Sequence, residues 1–203
     1  DKLNKFVKEL NIKEVAVIGG GYIGVEAAEN LKEAGYEVSL IEAMDQILKP
    51  FDYDMVQILH KEIYDNGVNL VVGDKVSSFE KDKVVLSSGK KVNAKAVVMA
   101  IGVSPEVSLA KESGIELGET GAIKVDKNYK TNDDDIYAVG DAIEVYNSLT
   151  HSMTKLSLAG PALKEARSVA DHINGKRGIN NGYIGSSAIK VFDYNAAATG
   201  LNE

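Results

Sequence analysis

The segment that decides the fold is Val15–Glu26, which reads VAVIGGGYIGVE. An apolar run typical of a buried strand leads into three consecutive glycines, and apolar residues then recur at helical spacing. Gly19, Gly21 and Gly24 form a G-x-G-x-x-G pattern, and Gly20 belongs to the same predicted binding loop. In such a loop the first glycine permits a tight turn, the second lets a pyrophosphate approach the backbone, and the third lets the helix pack against the strand. The helix also directs free N–H groups and its positive dipole end toward the phosphates.

The next strand ends in an acidic residue where a dinucleotide site needs one. The strand reads YEVSLIEA, and Glu42 lies 18 residues beyond Gly24 (42 − 24), close to the ~20 residues expected for a carboxylate that binds a ribose. A glycine turn with a solvated glutamate would share this pattern, but the strand, loop, helix and acid together favour dinucleotide binding. A carboxylate repels a 2′-phosphate, and the following AMDQ supplies no arginine. We therefore expect NAD(H) rather than NADP(H).

Helices and strands alternate through the first hundred residues. After the second strand come a helical stretch, DYDMVQILHKEIYDNG, and a strand, VNLVVG. Short polar-punctuated strands, KVSSFEKDKVVLSSGKKV, predict a hairpin or small meander, and AKAVVMAIG predicts a further buried strand. This alternation predicts an α/β fold, a Rossmann-like parallel sheet with right-handed crossovers and a β-meander insertion.

The character of the sequence changes near Val103–Pro105, where we place a domain boundary. The residues after it are loop-rich until IYAVGDA, which predicts a compact apolar strand ending in Gly-Asp. LAGPALKEARSVADHINGK predicts a helix with Pro161 tolerated in its first turn. The chain then closes with SSAIKVFDYNAAATGLNE, which reads as strand pieces.

Composition excludes several classes of function. A length of 203 residues predicts one or two domains, and a net charge of −7 without a basic cluster argues against nucleic acid as a partner. No apolar run approaches the roughly 18 residues of a membrane span, and the charged N-terminus lacks a signal-peptide core, so we expect a cytoplasmic protein without a membrane partner.

The absence of cysteine removes thiol catalysis from this chain. His60, His151 and His172 lack ligand spacing, so we read them as surface or packing residues and expect no metal.

Three further residues are ambiguous from spacing alone. Tyr22 and Glu26 lie four residues apart (26 − 22) and share a helix face near the glycines. They could serve a ligand or be an ordinary packed tyrosine and a solvated glutamate. Asp141 follows an apolar run as Gly140-Asp141, for which a turn aspartate is the commoner reading.

Several segments in one order resemble a known family. VAVIGGGYIGVEAAENLKEAGYEVSLIEA, AIGVSPE, TNDDDIYAVGDA, LAGPALKEAR and VFDYNAAATGLNE are similar to segments of FAD- and NAD(P)-dependent pyridine nucleotide-disulfide oxidoreductases, along essentially the whole chain. The branch that the sequence resembles most contains NADH oxidase, NADH peroxidase and coenzyme A-disulfide reductase.

The resemblance implies that this chain is the central part of a longer protein. Residues 1–102 resemble the NAD(H)-binding domain, and residues 103–203 resemble the C-terminal part of the FAD-binding domain. In the family an N-terminal FAD-binding half precedes these parts and carries the redox cysteine, so no catalytic residue is expected in this chain. A dimerisation domain follows them, which implies a homodimeric parent protein.

The resemblance also assigns residues to the nicotinamide side. Tyr22 matches a tyrosine that covers the flavin ring and moves when the nicotinamide enters, and Glu26 matches a carboxylate beside the nicotinamide. Ile23 and Gly102 match backbone positions that line the NAD. Phe51 falls where an aromatic residue often lies near the adenine half.

On the flavin side, Asp141 matches an aspartate that hydrogen-bonds the ribityl chain of FAD. Ser157, Leu158 and Ala159 precede or open a helix whose N-terminus faces the flavin pyrimidine, where the helix dipole would stabilise negative charge on reduced flavin. One departure is Glu106, which stands where the family usually has asparagine.

The resemblance implies that the parent is a flavin-dependent NADH oxidoreductase. Hydride would pass from NADH to FAD, and electrons would pass on to a disulfide, a peroxide or oxygen. We expect the isolated chain to be inactive, because the upstream half of the FAD site is missing. Two alternatives stay open: a stand-alone NAD-binding regulatory module, and an NADH:rubredoxin or flavodoxin-type electron-transfer reductase that needs no cysteine.

Overall fold

The computed structural model describes residues 2–176 and 180–202, which form two compact units. The first unit contains residues 2–102 and 187–202, and the second contains residues 103–186. The units divide beside the boundary expected from the sequence. Residues 187–202, which we expected in the second region, pack instead with the first unit. The assignment of the two regions to NAD(H) and FAD stays a prediction.

A four-stranded parallel sheet forms the centre of the first unit. Its strands are β1 (Glu14–Ile18), β2 (Glu37–Ile41), β3 (Asn69–Val71) and β7 (Ala96–Met99). Their order across the sheet is β3-β2-β1-β7. Three helices accompany the sheet: α1 (Lys2–Glu9), α2 (Tyr22–Glu33) and α3 (Tyr53–Asp65). The predicted Rossmann-like α/β fold is thereby confirmed.

Alternate residues of β1 pack into two different cores. Val15 and Val17 are fully buried in the core that contains the apolar faces of α2 and α3. Ala16 and Ile18 point the other way, into a core shared with a small antiparallel sheet. That sheet is the predicted meander, made of β4 (Val76–Glu80), β5 (Lys83–Leu86) and β6 (Lys91–Asn93). Both faces of the parallel sheet are therefore covered, as the unbroken apolar run in β1 requires.

The last described residues form a two-stranded sheet of β10 (Ser186–Val191) and β11 (Tyr194–Thr199). Ile189, Val191 and Phe192 are buried in the same core as Val7 and Ile12. This shared core is why the segment belongs to the first unit and not to the region that precedes it in sequence.

The second unit has little regular structure. Its elements are α4 (Ser108–Glu112), a 3-10 turn (Gly140–Ala142), β8 (Val145–Asn147), β9 (Ser152–Thr154) and α5 (Ala159–Ile173). The predicted helix with Pro161 in its first turn is α5. The predicted strand in IYAVGDA is wrong: Tyr137 makes only an isolated bridge to Lys130, and the segment ends in the 3-10 turn. A strand needs a partner ladder, and no neighbouring strand pairs with these residues in the described part of the chain.

Among the described residues, none of the helices has the length and apolar character that crossing a membrane demands. The same residues hold no cluster of three or more histidine, aspartate or glutamate side chains that could hold a metal ion.

Candidate functional site

The glycine loop lies at the carboxyl edge of the parallel sheet. The chain leaves β1, passes through α2 and returns as β2 on one side, while β7 pairs with β1 on the other side. The space above β1 is therefore a point where the strand order reverses. In open α/β sheets, ligands bind in the crevice at such a point.

Two of the glycines are required by close backbone packing. Gly19 has φ +106°, and a Cβ atom there would lie 2.3 Å from the carbonyl oxygen of Ala100. A Cβ on Gly24 would lie 1.8 Å from the carbonyl oxygen of Gly19. These distances match the roles expected from the sequence, a tight turn at Gly19 and close helix packing at Gly24.

Gly21 differs, because no atom lies within 4 Å of the position its Cβ would take. It is the N-cap of α2 and has an ordinary extended backbone, with no side chain capping the helix. The first N–H groups of an α-helix have no partner within the helix, and they carry partial positive charge. An anionic group can therefore approach the backbone here without obstruction.

Glu42 is bonded directly to the glycine loop. One carboxylate oxygen accepts a hydrogen bond from the N–H of Gly20 at 2.6 Å, and the other accepts one from the N–H of Met44 at 2.8 Å. A carboxylate has about four lone-pair sites, so this side chain keeps acceptor capacity for a ligand. Glu42 is partly exposed. The structure thus brings together the glycine loop and the acid that lies 18 residues beyond Gly24, as the sequence pattern predicted.

Residues 42–51, the specificity loop, are held against the glycine loop from a second direction. The N–H of Leu48 donates to the carbonyl of Gly20 at 2.8 Å. The N–H of Ile47 donates to Nε2 of His60 at 3.2 Å, and both residues are buried. Reading His60 as a surface or packing residue missed this hydrogen bond, since nothing in the sequence pairs it with a residue 13 positions earlier.

The residues predicted to lie beside the nicotinamide differ in their exposure to solvent. Glu26 is exposed, and Ile23 is 60% exposed at the start of α2. The ring of Tyr22 is half-buried, and its hydroxyl hydrogen-bonds the hydroxyl of Ser187. Nothing in the sequence indicates this partner. The partner comes from the hairpin that the sequence assigned to the other region.

Gly102 and Phe51 lie in contrasting surroundings. Gly102 is exposed and has φ +100°, close to the exposed apolar side chains of Met99 and Ile101 in sequence. Phe51 is only 7% exposed and packs in the core of the first unit. The contacts predicted for Gly102 with NAD and for Phe51 near adenine stay predictions.

In the second unit, the predicted flavin residues lie at two turns. Asp141 is exposed and follows Gly140, which has φ +77°. Ser157 and Ala159 are exposed, and the N-cap Leu158 leaves the N-terminus of α5 without a side-chain cap. An exposed carboxylate and an uncapped helix N-terminus are groups that can bind a polar cofactor.

A buried carboxylate that the sequence did not single out holds the Gly140 turn. Glu165 in α5 is 2% exposed and accepts a hydrogen bond from the N–H of Gly140 at 2.6 Å. Burial raises the pKa of Glu165, although the hydrogen bond from Gly140 acts against this. The hydroxyl of Tyr183 lies 2.6 Å from that of Tyr129. Burial also raises the pKa of both tyrosines.

Comparisons with known proteins show which family the chain is similar to. Residues 1–166 match the family model described as pyridine nucleotide-disulphide oxidoreductase. The chain is 31% identical over 202 residues to an NADH oxidase of Enterococcus faecalis, covering 97% of this chain and 45% of the relative. It is 30% identical to a coenzyme A disulfide reductase of Staphylococcus epidermidis, covering 99% and 46%. The chain therefore spans about half the length of the curated relatives it matches.

Solved structures show the same fold. Reduced CoADR-RHD from Bacillus anthracis is 43% identical with a TM-score of 0.97, covering 100% of this chain and 37% of that one. A water-forming NADH oxidase from Lactobacillus brevis, bound to NADH, is 29% identical with a TM-score of 0.90, covering 99% and 45%.

An engineered variant of the Lactobacillus enzyme, an NADPH oxidase bound to NADPH, is 26% identical to this chain with a TM-score of 0.89, covering 98% and 45%. In that variant, consecutive aspartate, alanine and methionine residues became alanine, arginine and serine. A glycine eighteen positions before the aspartate became alanine.

Proposed function

This chain belongs to the pyridine nucleotide-disulphide oxidoreductase family, and from that premise we propose that its first unit binds NADH within a flavin-dependent NADH oxidoreductase. The observation that carries the proposal is the hydrogen bond between Gly20 and Glu42. It places a carboxylate with spare acceptor capacity beside an open helix N-terminus, at the edge of the sheet where dinucleotides bind.

Each end of this arrangement suits a different part of the dinucleotide. The free N–H groups at the start of α2 would bind the pyrophosphate next to Gly21. Glu42 would accept hydrogen bonds from the adenosine ribose hydroxyls while keeping the glycine loop in place through Gly20. Ile23 and Glu26, both exposed on the first turns of α2, would border the nicotinamide.

The same carboxylate favours NADH over NADPH. Glu42, Ala43 and Met44 follow Gly24 at the spacing of the residues replaced in the engineered NADPH oxidase. That variant loses its acid and gains two arginines, one and seven positions later, and the second corresponds by spacing to Lys49 of this chain. This chain keeps the acid and has alanine next to it, so a 2′-phosphate would meet a negative charge and no arginine.

The second unit would hold FAD through groups that fit a flavin. Asp141 would hydrogen-bond the ribityl chain, and the uncapped N-terminus of α5 near Leu158 and Ala159 would stabilise negative charge at the ring. Bound FAD would supply hydride acceptance from NADH and onward electron transfer to a disulfide, a peroxide or oxygen. The protein groups keep these two cofactors oriented.

Calorimetric titration of the chain with NADH and NADPH tests the proposal. We expect NADH to bind at least about tenfold more tightly, since hydrogen bonds to charged groups contribute about 1.5–3 kcal/mol each. Glu42→Ala should weaken NADH binding and abolish the preference. Glu37→Ala removes an exposed charge from the other end of β2 and is the matched control. Equal or tighter NADPH binding, or an unchanged preference in Glu42→Ala, would refute the proposal.

A further inference from the structure

We infer that His60 is a positioning residue for the adenosine half of the dinucleotide site, holding the specificity loop through its hydrogen bond to Ile47. The inference rests on the proposed function, because it assigns a role within the same site. His60 is buried, and it acts through Ile47 on the exposed residues that precede Ile47 in the loop.

The His60 side chain is built to accept a hydrogen bond. It lies in the third turn of α3, is 7% exposed, and has Nε2 at 3.2 Å from the backbone nitrogen of Ile47. Nε2 can accept only when it carries no proton, so the neutral ring must bear its hydrogen on Nδ1. Burial lowers the pKa of His60, which favours the neutral ring. Without His60, the buried N–H of Ile47 would lose this acceptor.

Ile47 transmits its position to the glycine loop. It is fully buried, and its Cγ2 would lie 2.7 Å from a Cβ atom placed on Gly20. The next residue, Leu48, has φ +48° and donates its N–H to the carbonyl of Gly20. Gly20 in turn donates its own N–H to Glu42. Both polar backbone groups of Gly20 are thus occupied by the specificity loop.

The exposed part of the specificity loop lies between these two anchors. Ala43, Met44 and Asp45 are exposed, with Glu42 fixed to Gly20 on one side and Ile47 fixed to His60 on the other. Two of these exposed residues correspond by spacing to positions replaced when the Lactobacillus oxidase was changed to bind NADPH. A shift of Ile47 would therefore move the segment that distinguishes the ribose from its 2′-phosphate.

A purely structural His60 would stabilise the core without affecting the ligand. Three variants separate these roles. His60→Leu removes the acceptor, whereas His60→Gln keeps an amide oxygen that can replace Nε2. Ile63→Ala makes a cavity one turn further along α3, at a residue that is 2% exposed, and leaves the hydrogen bond to Ile47 in place.

The measurement is the affinity for 5′-AMP, which carries the adenosine half alone, by calorimetry at a temperature where every variant is folded. We expect His60→Leu to bind about tenfold more weakly, the loss of one buried hydrogen bond of about 1.4 kcal/mol. His60→Gln and Ile63→Ala should bind as the wild type does, although Ile63→Ala unfolds at a lower temperature. If His60→Leu does not fold, His60→Asn replaces it, because the shorter amide cannot reach Ile47.

The outcomes separate the inference from the proposed function. Wild-type binding of NADH and 5′-AMP supports the proposed function, and binding of neither overturns both proposals. If the wild type binds 5′-AMP and His60→Leu binds it equally well, only the positioning role is refuted. An equal loss of affinity in Ile63→Ala would show that general destabilisation explains the effect, and would also refute it.

Discussion

Each unit contains a glycine turn whose N–H donates to a carboxylate at the same distance, but the two carboxylates lie in opposite environments. Gly20 donates to Glu42 and Gly140 donates to Glu165, both at 2.6 Å. Glu42 is partly exposed beside an open helix N-terminus, whereas Glu165 is 2% exposed beneath its turn. A partly exposed carboxylate can hold a turn and still accept a ligand. A buried one can only hold the turn, so the predicted ligand contact in the second unit comes from the neighbouring Asp141.

The largest expected effect is that of Gly19→Ala, which tests whether the first turn depends on its backbone. The added Cβ would lie 2.3 Å from the carbonyl oxygen of Ala100, at φ +106°. Strain and overpacking should together destabilise the first unit by about 3 kcal/mol or more. Urea unfolding followed by circular dichroism measures this loss. Wild-type stability in Gly19→Ala would show that the turn can adapt to a Cβ atom at this position.

Replacing the two carboxylates tests the comparison directly. Glu165→Ala leaves the Gly140 N–H without its acceptor and opens a buried cavity, so we expect a loss of about 2–4 kcal/mol in stability. Glu42→Ala removes a partly exposed side chain whose place water can take beside the N–H groups of Gly20 and Met44, so it should reduce stability by about 1 kcal/mol. Chemical denaturation of both variants provides the numbers. If Glu42→Ala were the more destabilising variant, burial would not explain how much each carboxylate contributes to stability.

Gly21→Ala sharpens the distinction between folding and binding within the glycine loop. Nothing lies within 4 Å of the new methyl group, and φ is −74°, so stability should change by less than about 0.5 kcal/mol. The methyl group occupies the space through which a pyrophosphate approaches, so NADH should bind about tenfold more weakly. Calorimetry and thermal unfolding of one sample test both statements. Unchanged NADH affinity would remove Gly21 from the proposed phosphate site.

The smallest expected effect is a pH dependence of stability that comes from the buried carboxylate. Because the folded-state pKa of Glu165 is raised above its ordinary value of 4.5, its contribution to stability is complete below about pH 4.5 and declines as the pH rises through the folded pKa. Glu165→Gln does not titrate, so its stability relative to the wild type should increase over that range. Denaturation curves at several pH values check the sign. A difference that shrinks as the pH rises would contradict the assigned direction.

Local sequence patterns determined the fold of the first unit and the outline of its site. The apolar run of β1, the glycine spacing and the acid 18 residues beyond Gly24 each reflect geometry within one strand–turn–helix–strand segment. These features depend on residues that lie close together in the sequence, so they can be recognised without knowing the rest of the molecule. The same reasoning found α5 and the meander.

Tertiary structure alone decided the contacts that join distant segments. The hydrogen bonds from Gly140 to Glu165 and between Tyr22 and Ser187 span 25 and 165 residues, and the hairpin after Ser186 joins the first core through Ile189 and Val191. The apolar segment IYAVGDA looked like a strand and is not one here, because strand formation depends on a neighbour that its own residues do not specify. Propensity and spacing describe what a segment can form, whereas packing and hydrogen-bond satisfaction decide which partner it meets.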